Sequence, residues 1–321
     1  MDFGVYPSAI HVRKKGMIFM SQEKKNTSVM KNMILNIVLV ICTVAIIVCG
    51  VLIVRSLNDY QVAEEKNEEI SSGMADLIDQ LNQNKVPLVT SGTPETSAPG
   101  QTSATGADVT KPVEPARPVR EEYREIHEYL TGLKKQYPDL FGWIHIEFDE
   151  DHVINLPVMQ SDDNNYYIDH AYDGTSSKSG AVFADYRNTD RRIDLNQNLV
   201  FYGHNMNNKS MFALLSTQYK QRANFDEVPV VFYSMEGVYT FNVFSIYNGK
   251  AGDGYDTVAF SQDNLKNFCE ELQKRSFYTK KLSFTGKETV LTLVTCTNYV
   301  TDADGRVLVH GVLDGYESFY D

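Results

Sequence analysis

Residues 33–54 form an uninterrupted run of 22 positions without a charge, with Asn36 as the one strongly polar group. Coiled as a helix at about 1.5 Å per residue, the run is about 33 Å long, enough to cross a hydrocarbon core. A cleaved signal peptide would have a shorter apolar region, roughly 7–15 residues, ending at a small-residue site. This run is longer and passes directly into Arg55 and a polar segment. The expectation is a single retained transmembrane helix. Cys42 and Cys49 fall inside it and read as small lipid-facing side chains.

Charge is distributed unevenly about that run. Residues 1–32 hold six basic side chains against Asp2 and Glu23, a net +4, within a chain whose total is −12. Acidic residues (Asp59, Glu64, Glu65, Glu68, Glu69) follow the span. Basic flanks stay in the cytoplasm, so the expected topology is cytoplasmic for 1–32 and extracellular for everything after the span, at the cell membrane. An acidic chain also makes a poor nucleic-acid binder, because phosphate neutralisation needs clustered Lys and Arg.

Two unlike segments come next. Residues 55–86 carry a weak helical stripe, Ile70, Met74, Leu77, Ile78 and Leu81, which predicts a short juxtamembrane helix. Residues 87–119 hold six of the ten prolines amid Ser, Thr, Gly and Ala. Such a composition buries no core and predicts a linker reaching on the order of 100 Å if extended at about 3.1 Å per residue.

The remaining 120–321 has the size of one domain. Its first segment, 121–136, has a helical apolar face. Short β-branched and aromatic runs follow, split by Gly, Asp and Asn clusters, and predict strands near 141–147, 153–159, 180–184, 198–203, 229–233, 237–247, 288–296 and 306–313. Helical stretches fit 163–170, 210–218 (with Ser210 as its cap) and 261–274. The expectation is a mainly β domain, a closed barrel or a sandwich, with a few peripheral helices.

Chemistry concentrates near the C-terminus. Thr289 to Cys296 reads as a strand, 297–305 as a loop with a turn signal, and 306–312 as the returning strand. Antiparallel pairing of the two puts Cys296 beside Arg306. A guanidinium there is suited to bind a polarised carbonyl or a developing oxyanion. A cysteine nucleophile also needs a basic partner. His310 lies about 13 Å along its strand from Arg306, at about 3.3 Å per residue. His204 follows the apolar run Leu199-Val200-Phe201-Tyr202-Gly203, where a strand meets a loop, and is the best remaining partner. No Asp or Glu is forced by spacing to orient it. Cys269 sits on a helical face as packing. No CxxC pair, phosphate loop, HExxH helix or metal-ligand cluster occurs, so neither a metal nor a cofactor is expected.

These motifs carry a resemblance. Thr292-Leu293-Val294-Thr295-Cys296 is similar to the TLxTC signature of sortases, the cell-wall transpeptidases of Gram-positive bacteria. Tyr202-Gly203-His204-Asn205-Met206 resembles their YGHNM segment, and Arg306 stands ten residues after Cys296 as in class B. Gly142-Trp143-Ile144, Pro157-Val158-Met159-Gln160, Asp163-Asn164, Tyr166-Tyr167 and Phe183-Ala184-Asp185-Tyr186-Arg187-Asn188 also resemble the class B pattern, over residues 120–313.

The resemblance implies a closed eight-stranded sortase barrel with N-terminal helices. It implies Cys296 as nucleophile, His204 as general acid/base and Arg306 as the group holding the substrate carbonyl, with Thr295, Val294 and Asn205 as substrate-binding candidates. The implied partners are surface proteins bearing a C-terminal sorting signal with an Asn-Pro-x-Thr core and an amine of a peptidoglycan precursor. Val294 departs from the Ser that many class B members carry there, and the long linker is unusual for the group. Two rival readings are a cysteine peptidase that only hydrolyses and a tethered, non-catalytic binding module.

Overall fold

The computed structural model describes residues 9–84, 117–190, 192–298 and 302–321, with side chains from residue 26 onward. The expected linker at 87–119 lies outside the described residues up to 116, as do the first eight residues of the basic segment. Contacts divide the chain into two units, Met1–Asp59 and Tyr60–Asp321.

The first unit is helical, part of helix α1 (Ala9–Asn84). Its apolar side chains between 33 and 54 stand open, Ile46 at 70% and Val54 at 66% exposure. The α1 segment Asn26–Gln83 is long and apolar enough to include a membrane span. Cys42 and Cys49 are exposed on it.

The second unit is a closed barrel of eight strands: β1 (Leu140–Asp149), β2 (His152–Met159), β3 (Val182–Ala184), β4 (Asn198–Tyr202), β5 (Val230–Tyr233), β6 (Gly237–Lys250), β7 (Val290–Cys296) and β8 (Gly305–Ser318). Around the barrel the order is β1-β2-β3-β4-β7-β8-β6-β5. The β2/β3 and β4/β7 pairs are parallel, and the rest are antiparallel. Closure leaves no edge strand to template aggregation. The expected sandwich alternative is thereby excluded.

The near-continuous apolar character of β7 follows from its place. Leu291 and Leu293 pack in the barrel interior with Phe201, Phe241, Val307 and Val309. Val290 and Val294 point the other way, into a cluster beneath helix α4 (Gln262–Arg275). A strand covered on both faces has no polar side to alternate. Helix α4 meets that face with Leu265, Cys269 and Leu272, one helical stripe. Ser261 caps its start, Asp263 lies in its first turn, and Lys274 and Arg275 in its last, all in the sense the helix dipole favours.

A third cluster joins α1 to the barrel. Ile70, Met74, Ile78 and Leu81 pack with Ile126 and Leu130 of helix α2 (Arg124–Gln136) and with Trp143, Met159 and Phe183. Such side chains are worth roughly 1.5–3 kcal/mol each when fully buried. Residues 60–84, read from sequence as a separate juxtamembrane helix, thus share a hydrophobic core with the barrel.

Several sequence expectations change in detail. The helix expected at 163–170 is only a 3-10 turn, Tyr166–Ile168. Asp163 explains this: its carboxylate accepts from the backbone N–H of Asn165 and Tyr166 (2.8 and 3.0 Å), a local bond that competes with helix. The helix expected at 210–218 is a 3-10 turn, Ala213–Ser216. Ser210 does not cap it, because Asn208 binds the Ser210 hydroxyl (2.8 Å) and Met211 takes φ 57°. A short helix, α3 (Arg222–Glu227), had no sequence signal. Strands β6 and β8 outrun their expected ends because they pair with each other along their whole lengths.

Candidate active site

Three strand ends build the site. Antiparallel β7 and β8 place Cys296 and Arg306 as directly opposed Cα partners, the last and nearly the first residues of their strands. Parallel β4 and β7 pair Tyr202 with Val294. Two residues further on, the chains reach His204 and Cys296. The ladder continues there, with Gly203 N–H donating to the Val294 carbonyl at 3.1 Å. Neighbouring strands lie about 4.8 Å apart, so the backbones of Cys296 and Arg306 stand side by side, and His204 lies just past the end of the strand on the other side of β7.

Local bonds fix that convergence. The Asn205 amide donates to the Cys296 carbonyl at 2.7 Å, and the Asn298 amide donates to the Asn205 carbonyl at 2.7 Å. Asn298 itself adopts φ 59°, a left-handed conformation that Asn tolerates better than most. Gly203 is required by space: a Cβ there would sit 2.7 Å from the Phe212 ring. Phe212 N–H in turn donates to the His204 carbonyl at 2.9 Å.

The side chains keep polar access. Cys296, His204 and Arg306 are all half-buried. His204 Nε2 donates to the Ile168 carbonyl at 2.8 Å. In the neutral ring this assigns the hydrogen to Nε2 and the lone pair to Nδ1. Arg306 Nη1 donates to the carbonyls of Gly305 and Ala303, at 3.0 and 3.2 Å. Its guanidinium also lies beside the buried Tyr255 phenol. Burial raises the Tyr255 pKa, the Arg306 cation pulls it back, and Cys296 is near enough to contribute as well.

The sequence did not single out Tyr255, which follows a Gly-Asp-Gly turn. Its anchoring runs through the barrel wall. Buried Asn198 donates to the Tyr255 and Thr257 carbonyls, each at 2.9 Å, and accepts from Thr292 Oγ1 at 2.8 Å. That bond uses the one hydroxyl hydrogen of Thr292. His310 Nδ1, 2.9 Å from the same oxygen, must therefore be the donor to it. His310 Nε2 is then a buried acceptor without a partner among the described residues. Burial, reinforced by Arg275, pushes the His310 pKa down to about 3.

A second buried polar node anchors β4 from the other side. Asp185, fully buried, accepts two bonds from the Arg187 side chain (both 2.7 Å), one from the Arg187 backbone N–H (3.0 Å), one from Asn164 (2.8 Å) and one from Tyr202 (3.1 Å). Burial pushes its pKa up, but the hydrogen bonds from Arg187 and Asn164 outweigh that and hold the carboxyl below its ordinary range. Sequence reading noted Asp185, Arg187 and Asn164 only as part of a pattern, and their role is to clamp the strand that delivers His204.

The substrate-binding candidates are placed differently. Thr295 is 2% exposed and its hydroxyl lacks a partner among the described residues. Val294 is 4% exposed and packs under α4. Cover on both faces of β7 turns both into walls. The Asn205 amide is engaged with the Cys296 carbonyl, as described above. Cys269 is buried, and burial pushes its thiol pKa up to about 12. No cluster of metal-ligating side chains occurs among the described residues.

Known proteins are similar to this chain in sequence and fold. Residues 151–314 match a family model described as the sortase domain. Sortase B of Listeria monocytogenes is 31% identical over 192 residues, 59% of this chain and 75% of that protein. Sortase B of Staphylococcus aureus is 28% identical over 185 residues, 57% of this chain and 74% of that protein. Among solved structures, a mutant form of Clostridium perfringens sortase B aligns with a TM-score of 0.54 and 28% identity, over 61% of this chain and 90% of that one. A Staphylococcus aureus sortase B–substrate complex aligns with a TM-score of 0.53 and 26% identity, over 59% and 85%.

Proposed function

Since this chain belongs to the sortase family and is a cysteine transpeptidase of the class B kind, we propose that Cys296, His204 and Arg306 carry its reaction. The observation that carries the reading is the opposed pairing of Cys296 with Arg306, with His204 two residues past the Tyr202–Val294 pair of the parallel β4 and β7. The Cys296 thiolate attacks the carbonyl carbon of the Thr in a C-terminal sorting signal, forming a carbon–sulfur bond. Arg306 stabilises the oxygen as it takes negative charge. The carbon–nitrogen bond then breaks, and the imidazolium of His204 gives its proton to the departing amine. A thioester remains on Cys296. An amine of a cell-wall precursor attacks it, His204 takes up the proton, and a new amide forms as the sulfur leaves. The thioester conserves the energy of the cleaved peptide bond, so no nucleotide is consumed.

The substrates are surface proteins with a signal resembling Asn-Pro-x-Thr, and the acceptor is a peptidoglycan precursor. A substrate complex of a relative, the Staphylococcus aureus sortase B, supports the peptide part of this reading. The apolar run at 33–54 is the anchor, the basic 1–32 stays in the cytoplasm, and the catalytic unit stands outside.

A peptide-library assay tests the proposal. Cleavage after Thr should give a joined product when triglycine or a diaminopimelate analogue is added, and this product should vanish in Cys296→Ala. Free acid alone in the presence of the amine would instead make the enzyme a hydrolase.

A further inference from the structure

His204 is held by two loops, and one helix grips both. The first loop carries the Ile168 carbonyl that accepts from His204 Nε2. It is folded by Ser177 N–H to the Asp169 carbonyl and by Ala171 N–H to the Thr175 carbonyl, each 2.8 Å. Lys66 of α1 reaches into it, donating to Asp173 Oδ2 at 2.6 Å and to Thr175 Oγ1 at 2.9 Å. Asp173 also accepts from the Thr175 backbone and hydroxyl, so the cation closes a compact knot.

The second loop, 204–212, runs directly on from His204. Lys209 and Met211 both take positive φ, 68° and 57°, a strained backbone for side chains of this size. Strain of this kind persists only where the surroundings over-determine it. Met211 packs in the barrel interior and bridges to Asn205, and α1 adds contacts to the same loop. The Asn67 amide lies 3.6 Å from the Met211 sulfur, and the Asn208 amide lies 3.4 Å from Glu64. One turn on, the helix is locked to the barrel by a reciprocal pair: Ser71 Oγ donates to the Asn155 carbonyl (2.6 Å), and the Asn155 amide donates to the Ser71 carbonyl (2.9 Å). Trp143 Nε1 completes the lock on Asn155 Oδ1 at 2.7 Å.

We propose that residues 60–84 of α1 are a positioning element for His204, acting through Lys66 on the 166–177 loop and through Glu64 and Asn67 on the 204–212 loop. The inference rests on His204 as the proton donor of the reaction. Its consequence is that the stretch adjoining the membrane span belongs to the working enzyme. Small misplacements of a reacting group lower turnover more than they lower binding, since alignment matters most in the transition state.

The test uses the full chain in lipid nanodiscs, joining an Asn-Pro-x-Thr peptide to triglycine. Lys66→Met and Asp173→Asn remove the same ion pair from its two ends. Each is expected to lower kcat about tenfold, with KM within about twofold and the thermal midpoint within a few degrees. Lys66→Arg, which keeps the charge, should restore most of the loss. If either variant fails to fold, the other decides together with Asn67→Ala, expected to lower kcat in the same way. Turnover within about twofold of the unaltered chain in the folded variants overturns the proposal, and so does a loss confined to KM. The underlying site reading fails separately: Cys296→Ala or His204→Ala would then retain turnover.

Discussion

The barrel rim and the layer beneath α4 hold the same reactive residue types and treat them in opposite ways. At the rim, Cys296 ends β7 and His204 lies two residues past the end of β4, both half-buried, with Arg306 paired to Cys296 across β8. Beneath α4, Cys269 and His310 are fully buried. There the thiol is pushed up to about 12 and the imidazole down to about 3, so both stay neutral near pH 7. Desolvation penalises a thiolate and an imidazolium alike. Burial therefore turns two potentially reactive groups into packing and a hydrogen-bond donor. Cys296 and His204, at or just past a strand end, keep the partial exposure that the proposed chemistry requires.

The sharpest way to break this contrast is to delete each sulfur. Cys296→Ala should reduce turnover by at least about 10⁴-fold, the scale seen when a covalent nucleophile is lost. Cys269→Ala should leave turnover within about twofold and lower stability by about 1 kcal/mol, from one small buried group. Equal effects of the two on peptide joining would erase the distinction.

Alkylation reads the same contrast without substrate. At about pH 8, iodoacetamide should label Cys296 at least about a hundredfold faster than Cys269, because the thiolate is the reacting species. Mass spectrometry of tryptic peptides measures both sites in one sample. Unfolding in denaturant should bring the rates together, and comparable labelling in the native chain would mean that Cys269 is not sealed.

Acid tests the histidines, and the effect is smaller. The folded pKa of His310 lies below its unfolded value of 6.5, so on acidification the unfolded chain takes up the proton first. Stability from this group is therefore intact above the unfolded pKa and is lost as pH falls towards about 3. Between about pH 7 and pH 4.5 the loss should be about 2–3 kcal/mol. His310→Leu should remove this part of the acid sensitivity, measured as the difference in urea midpoints at the two pH values. An unchanged difference would show that His310 does not titrate with unfolding.

Much of this was legible because local patterns carry it. The β-branched run ending in Cys296, the turn after it and the return through Arg306 define a hairpin, and a hairpin fixes its own neighbours. The eight strand positions followed from the same alternation and punctuation. What escaped depended on side-chain bonds within a turn or on distant partners. Asn208 and Asp163 divert their segments from helix into turns through side-chain bonds that periodicity ignores. Tyr255 sits in an ordinary glycine-rich turn and matters only because Asn198 draws it to Arg306. Thr295 and Val294 share a motif with Cys296, yet both are buried because both faces of β7 are covered. The stripe at 70–81 announced an apolar face but not what would cover it.

Sequence alone thus determined the apolar span, the mainly β character of the C-terminal unit and the pairing of Cys296 with Arg306, since each depends on residues near in the chain or joined by one turn. Tertiary structure alone decided that β4 runs parallel to β7, which brings the segment after β4 to Cys296, where Asn205 binds the carbonyl of a residue 91 positions away. It also decided that α1 shares the barrel's core. Both are long-range choices, made by burying apolar surface and satisfying backbone hydrogen bonds over the whole unit at once, and no local pattern encodes them.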